Sequence, residues 1–268
     1  MQFMGIDDDE RITIWQQNVN KLPVSQHTLI SNTILVEHGI DILALQEPAI
    51  NAFNQSISSK DWISIYPSMY HVNPDKTRSL SLIRALISTD SWEQIEFPDG
   101  DIIIIMLKGD WGKLIIFNIY NNCNNNDTIK ALVKLHDEHK DLITQEEQDK
   151  VHIIWLGDFN HHHEYWDDPN DTRLFTDQAT KAAEELIDAV ASLGLELALP
   201  QGIPTHRHNV TKKWTRLDQV FISDHSLEYI EVCKTVTKFR NVKTDHLPIS
   251  TILSLPIAKQ QPRIFRNF

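Results

Sequence analysis

The sequence predicts an α/β fold in which two packed mixed β-sheets carry helices on their outer sides, and three observations lead there. Short apolar runs of strand length recur along the whole chain. Few segments have helical spacing, and these are bounded by capping residues and glycines. Several apolar runs end in Asn, Glu, Tyr or Asp, so their polar ends can gather on one rim of the sheets.

In chain order, Ile12-Thr13-Ile14-Trp15 runs into Gln17-Asn18. A helix is expected from about Val24 to His38, with Ser25 as N-cap and Gly39 as stop. Ile40 to Leu45 then leads to Gln46-Glu47-Pro48. Ile102 to Leu107 and Lys113 to Ile119 flank Gly109-Asp110-Trp111-Gly112, the pattern of a hairpin. Its second strand runs into Tyr120-Asn121-Asn122. A charged helix follows over about Thr128 to Gln148, capped by Asp127.

Val151-His152-Ile153-Ile154-Trp155-Leu156 reads as a strand buried on both faces, ending in Gly157-Asp158-Phe159-Asn160. Taken alone, that ending is an ordinary turn. Company from the other strand ends makes it a candidate site. The third helix has Ala179, Ala182, Ala183, Leu186, Val190 and Leu193 on one stripe, with Thr176 or Asp177 as cap and Gly194 as stop. Asp218 heads the strand after Trp214-Thr215-Arg216-Leu217, and Thr244-Asp245-His246 heads the last apolar run, Leu247 to Leu253, which Pro248 interrupts. Starts and ends of antiparallel neighbours share a rim, so these groups can meet.

The chain of 268 residues has no Pro-, Gly- or Ser-rich divider and reads as one domain over 11–256, after an acidic tail over 1–10. Two distant cysteines, Cys123 and Cys233, write neither a disulfide framework nor a zinc site and read as small hydrophobes. No run is long enough to cross a membrane, so a soluble intracellular protein is expected. The net charge of −12 excludes a general polyanion binder, and any basic face must be local. Thr205 to Trp214 contains no acid and is the best such candidate. His161-His162-His163 invites a metal reading, but adjacent histidines cannot all face one ion, and rim or packing roles are expected. Glu164 to Asp177 reads as a solvated loop anchored by Trp166, with Arg173 paired locally.

Gln17-Asn18, Leu45-Gln46-Glu47, Asn118-Ile119-Tyr120, Gly157-Asp158-Phe159-Asn160, Trp214-Thr215-Arg216-Leu217-Asp218 and Asp245-His246 together resemble the ordered motifs of the endonuclease/exonuclease/phosphatase superfamily, the deoxyribonuclease I-like proteins. The segment from Gly157 through His162-His163 and Trp166, then Gly202-Ile203-Pro204-Thr205, is similar to endonuclease domains of fungal non-LTR (LINE-like) retrotransposons. The stretch 257–268 resembles the linker that leaves such a domain toward a reverse transcriptase.

The resemblance implies a four-layer α/β sandwich and a DNA endonuclease that nicks one strand. It implies Mg²⁺ as cofactor, with Mn²⁺ as substitute, held by Glu47, Asn18 and Asp245 as hard oxygen ligands. It implies catalytic roles for Asp158, His246, Asp218, Tyr120 and Asn160. Asp158 would work on the attacking water, Asn160 would hold the phosphate and the Asp158 side chain, and Tyr120 would donate to the phosphate. Asn121, Asn122, His162, Arg207, Lys212, Lys213 and Trp214 are the expected substrate contacts. DNA is the expected partner, with a reverse transcriptase domain beyond this chain, no membrane, a monomeric state and a nuclear location. Arg78 to Ser88 lacks the glycine and aromatic that many relatives carry, which puts substrate contacts from that strand in question. Two other readings remain: a phosphoesterase acting on inositol phosphates or lipid headgroups, and a non-catalytic interaction module.

Overall fold

A computed structural model describes residues 11–31, 33–57, 59–138, 151–239 and 244–259. The expected tail over 1–10, the distal part of the second helix and residues 260–268 lie outside them. The strands, in order, are β1 (Ile12–Asn18), β2 (Ile42–Gln46), β3 (Trp62–Ile65), β4 (Ser79–Arg84), β5 (Trp92–Ile95), β6 (Ile102–Gly109), β7 (Gly112–Tyr120) and β8 (Val151–Asp158). They continue as β9 (Leu195–Leu197), β10 (His206–Arg207), β11 (Trp214–Thr215), β12 (Asp218–Ser223), β13 (Ile230–Thr235) and β14 (Ile249–Leu253). The helices are α1 (Pro23–Ile30), α2 (Thr33–Glu37), α3 (Asp127–Glu138) and α4 (Asp177–Ser192).

Among the described residues two six-stranded sheets form, one ordered β13-β14-β1-β2-β4-β3 and the other β5-β6-β7-β8-β12-β9, with β10-β11 as a separate ribbon. Both sheets are mixed: β1 pairs in parallel with β2, β7 in parallel with β8, and the other pairs are antiparallel. The strand period of two sorts side chains between layers. Ile12, Ile14, Ile42 and Ala44 of the first sheet meet Ile103, Ile116, Ile154 and Val220 of the second in the central core. The opposite face of the second sheet, with Phe117, Trp155 and Phe221, packs on Leu132 of α3 and on Ala183, Leu186 and Val190 of α4. Trp15, Leu43, Leu45 and Leu82 pack on Leu29, Ile30 and Leu35 of α1 and α2. The result is helices, sheet, sheet, helices: four layers, as expected.

The first expected helix is two. Pro23, not Ser25, opens α1, because a fixed φ and a missing N–H suit the first helical position. Ser25 is buried and caps nothing, and Gly39 ends the segment at φ 67°. The hairpin is as read, with Gly109 opposite Gly112. Thr176 caps α4 by accepting from the Ala179 N–H, and Gly194 follows at φ 59°. Packing continues past residue 256, since Ile257 is buried and the Lys259 ammonium lies 3.1 Å from the buried Asp41 carboxylate. No helix among the described residues is long and apolar enough to cross a membrane.

His136 on α3 is buried between Phe117 and Trp155, and neither ring nitrogen has a partner among the described residues. Burial pushes its pKa down to about 4, below the ordinary value of about 6.5. Folded protein therefore binds fewer protons than unfolded chain between those values, and stability falls as pH drops through that window. His136→Leu should remove this sensitivity, adding about 2 kcal/mol to stability at pH 5 relative to pH 8. Urea unfolding at both pH values checks it; an equal effect at each would show that His136 is not the titrating group.

Candidate active site

Two observations put polar groups of both sheets on one rim. In the second sheet Asp158 stands opposite Tyr120 on one side and opposite Asp218 on the other, directly in register. In the first sheet the strand order β14-β1-β2 sets Asn18 between Glu47, just beyond β2, and Asp245, just before β14. Below the rim, buried amides cross between the sheets and hold this alignment. Gln16 Nε2 donates to Gly157 O at 2.9 Å and Gln46 Nε2 to Asn118 Oδ1 at 2.7 Å. Asn118 Nδ2 in turn reaches Leu80 O and Ser81 Oγ, each at 3.1 Å. Buried amides are costly unless paired, so these bonds disfavour any slip of one sheet over the other. Gly157 is required where β8 meets β7: its φ is 151° and a Cβ there would lie 1.8 Å from Ile119 O.

Asp158 is the centre of the arrangement. Asn18 Nδ2 donates to its Oδ2 at 2.8 Å across the sheets, and the Asn160 backbone N–H donates to its Oδ1 at 3.1 Å. Asn160 adopts φ 54°, a left-handed conformation that asparagine tolerates better than most residues. Its side chain is committed elsewhere, donating to Asn121 O at 2.8 Å. His246 Nδ1 lies 2.8 Å from Asp218 Oδ2, while Nε2 faces Asp158 Oδ2 at 4.0 Å. Thr244 Oγ1 accepts from the His246 N–H and donates to Asn18 O, tying the start of β14 to the end of β1.

Burial, then the charge of Asp218, raises the Asp158 carboxyl above the usual carboxylate range. Burial alone would lower His246, but Asp218, Asp158 and Asp245 overcome it and push the imidazole up to about 9. Burial, then Glu47 and Asp158, lifts the Tyr120 hydroxyl well above its ordinary range, so it stays a neutral donor. Arg78 lies over the Tyr120 ring, its guanidinium carbon 5.4 Å from the centroid and its Nε 3.8 Å from Asp101.

Asp245 is held by three side chains. Asn209 Nδ2 donates to Oδ2 at 2.7 Å, His206 Nε2 is 3.7 Å from the same oxygen, and Asn20 Nδ2 reaches Oδ1 at 3.4 Å. Although burial opposes it, the His206 contact and the His246 charge keep this carboxyl below the ordinary range. Glu47, at φ 47°, has Lys21 Nζ at 4.0 Å and no side-chain hydrogen bond among the described residues. Among the described residues two groups could each converge on an ion, Asp158–Asp218–His246 and His206–Asp245–His246, and neither includes Glu47.

The other expected contacts divide. Arg207 and Trp214 lie on the β10-β11 ribbon, guanidinium 5.7 Å from the indole, with Lys212 and Lys213 near its tip. Asn121 does not face outward: it is buried, and its amide serves Phe159 O and His161 Nε2. The Asn122 side chain caps a turn at the Asn124 N–H. His162 pairs with Asp167 at 3.2 Å, and no described histidine of the triplet joins an ion-binding group. Trp166 anchors its loop by donating to His161 O, and Arg173 pairs with Asp171. Arg216 is a buried strut, donating to Trp166 O at 3.1 Å, Leu199 O at 2.9 Å and Gln219 Oε1 at 2.8 Å. Arg78, His206 and Asn209 also stand at the site, Arg78 over Tyr120 and the other two on Asp245. His206 and Asn209 fall in the acid-free segment, but nothing in that run says which side chains turn inward.

The profile of the endonuclease-reverse transcriptase family matches residues 114–250. The chain belongs to that family. It is thus a member of the endonuclease/exonuclease/phosphatase superfamily. Among solved structures it is similar to the endonuclease domain of TRAS1, a telomere-specific non-LTR retrotransposon, at 12% identity and TM-score 0.68 over 91% of this chain and 99% of that one. It is also similar to the AP endonuclease LMAP from Leishmania major, at 12% identity and TM-score 0.71 over 96% and 90%. A third, an AP endonuclease from Archaeoglobus fulgidus, has 16% identity and TM-score 0.61 over 90% and 99%. At these identities the likeness is one of fold. Among curated proteins none matches the sequence.

Proposed function

We propose that this chain is a Mg²⁺-dependent DNA endonuclease that hydrolyses a phosphodiester to nick one strand, leaving 3′-hydroxyl and 5′-phosphate ends. The observation that carries it is the buried Asp158 carboxylate, fixed by Asn18 and Asn160 and facing an imidazole whose other nitrogen is bound by Asp218. Asp158, raised toward neutrality, accepts the proton of the attacking water. His246 stays charged and presents Nε2–H to the phosphate oxygens, while Tyr120 O–H donates to the same group. The new bond joins the water oxygen to phosphorus, and the leaving 3′ oxygen takes a proton from bulk water.

Glu47, Asn18 and Asp245 suit a hard divalent cation. All three offer oxygen, and the Glu47 carboxylate carries no side-chain hydrogen bond among the described residues. When bound, Mg²⁺ supplies neutralisation of charge on the phosphate, and Mn²⁺ can replace it. DNA, rather than a small phosphoester, is favoured by the acid-free ribbon beside the site, whose His206 ring is 4.7 Å from that of His246. The 3′-hydroxyl left by a nick is the group a polymerase extends, which agrees with the reverse transcriptase in the family's description.

Supercoiled plasmid with Mg²⁺, with and without chelator, tests the reading. Relaxed circles that disappear with chelator support it. Hydrolysis of an inositol phosphate with no nicking would assign the chemistry to a small substrate. The ribbon supplies a separate check: neutralising Lys212 and Lys213 should weaken DNA binding and reduce its salt slope by about two, one per phosphate contact. An unaltered slope would mean that the ribbon tip does not touch the backbone.

A further inference from the structure

A groove beside the edge strand β3 takes no part in the chemistry above. It holds about 640 Å³, within the ~300–1,000 Å³ usual for small-molecule sites. Phe53, Gln55, Ser64, Tyr66, Tyr70 and His71 are among its lining residues. No described lining residue is an acid, in a chain of net charge −12. The Tyr66 and Tyr70 rings are stacked, with centroids 4.2 Å apart. Phe53 is 83% exposed, yet its loop is pinned. Asn51 Oδ1 accepts from the Phe53 and Gln55 N–H groups, and the Gln26 side chain bonds both Ala49 and Ser56. A single exposed apolar ring is unremarkable. An exposed ring on a loop with a pinned backbone, beside an aromatic stack with amide and hydroxyl groups and no acid among the described lining residues, is the composition of a site for a flat heteroaromatic ring.

Topology places this groove on the catalytic rim. β3 is antiparallel to β4, which is antiparallel to β2, so Tyr66 leaves β3 at the same end at which Glu47 leaves β2. Two strand spacings and two residues of register separate them, about 12 Å in all. From Pro74 at the groove the chain reaches Arg78 in four residues, at most about 14 Å, and Arg78 covers the Tyr120 ring.

We propose that the groove receives an unstacked base of the DNA substrate, about three to four nucleotides from the scissile phosphate at ~3.4 Å per step. The proposal rests on the DNA-nuclease reading. Phe53 acts as the wedge that parts the base from its neighbours, the tyrosine pair meets its face, and Gln55 and Ser64 offer hydrogen bonds to its edge.

The test uses a duplex with one bulged 2-aminopurine and the same duplex with an abasic bulge, in chelator so that no strand is cut. Wild-type protein should bind the base-bearing duplex about 10-fold more tightly and quench its fluorescence. Phe53→Ala and Tyr70→Leu should each reduce that preference to less than about twofold. Phe53 is exposed, so its variant should keep the wild-type thermal midpoint. Equal affinity for both duplexes by a wild-type protein that nicks plasmid would overturn the groove proposal and leave the nuclease reading intact. So would a preference that survives both substitutions. A protein that neither binds nor nicks DNA would overturn both.

Discussion

Replacing His246 by Ala, or Asp158 by Ala, is expected to slow hydrolysis by about 10²–10⁴-fold, the usual range for acid–base groups. Asp218→Ala should cost less, because His246 can still be protonated part of the time. The more telling effect is on pH. His246 acts in its charged form, so activity is lost as pH rises through its pKa, raised to about 9 in the intact cluster. Without Asp218 that alkaline limb should move down to the ordinary imidazole value of about 6.5 or below it, because burial is then opposed only by the smaller effects of Asp158 and Asp245. The double change Asp218→Ala with His246→Ala should be little worse than His246→Ala alone, since the bond at 2.8 Å makes the two one unit. Rates of plasmid nicking between pH 5 and 10 decide it. Strictly additive losses with an unmoved limb would separate the two residues.

Glu47→Gln is expected to abolish nicking at low Mg²⁺, a loss of about 10²-fold or more, because the neutral amide is a poorer ligand for a hard cation. The fold should survive. The side chain is 20% exposed, has the same shape in both forms, and has only the distant Lys21 as ion-pair partner among the described residues. A Mg²⁺ titration of the rate, beside a thermal melt in chelator, measures both halves. Equal rates at every Mg²⁺ concentration would take Glu47 out of the metal region. That outcome has weight, since Glu47 stands outside both groups of converging ligand atoms.

Much of this protein is local and therefore legible in its sequence. Apolar runs of strand length, their polar ends, the cap at Thr176, the stop at Gly39 and the hairpin at Gly109–Gly112 all follow from backbone preferences within a few residues. Because the start of one antiparallel strand adjoins the end of its neighbour, the meeting of Asp158 and Asp218 could be anticipated too, whereas Tyr120 joins them because β7 and β8 run parallel and end together. Side-chain direction on loops could not. Asn121 and Asn122 are the same residue type in succession, yet one is a buried support and the other caps an exposed turn. Asn209 belongs to a run that reads only as basic, and it turns inward to hold Asp245, 36 residues later. Asn18 meets Asp158 across 140 residues of sequence, and the amides of Gln16 and Gln46 set that meeting from below. A sequence states which groups stand at the strand ends. Which of them face one another depends on how two sheets settle on a shared core, where burial leaves each amide and carboxylate only the partners that packing brings within reach.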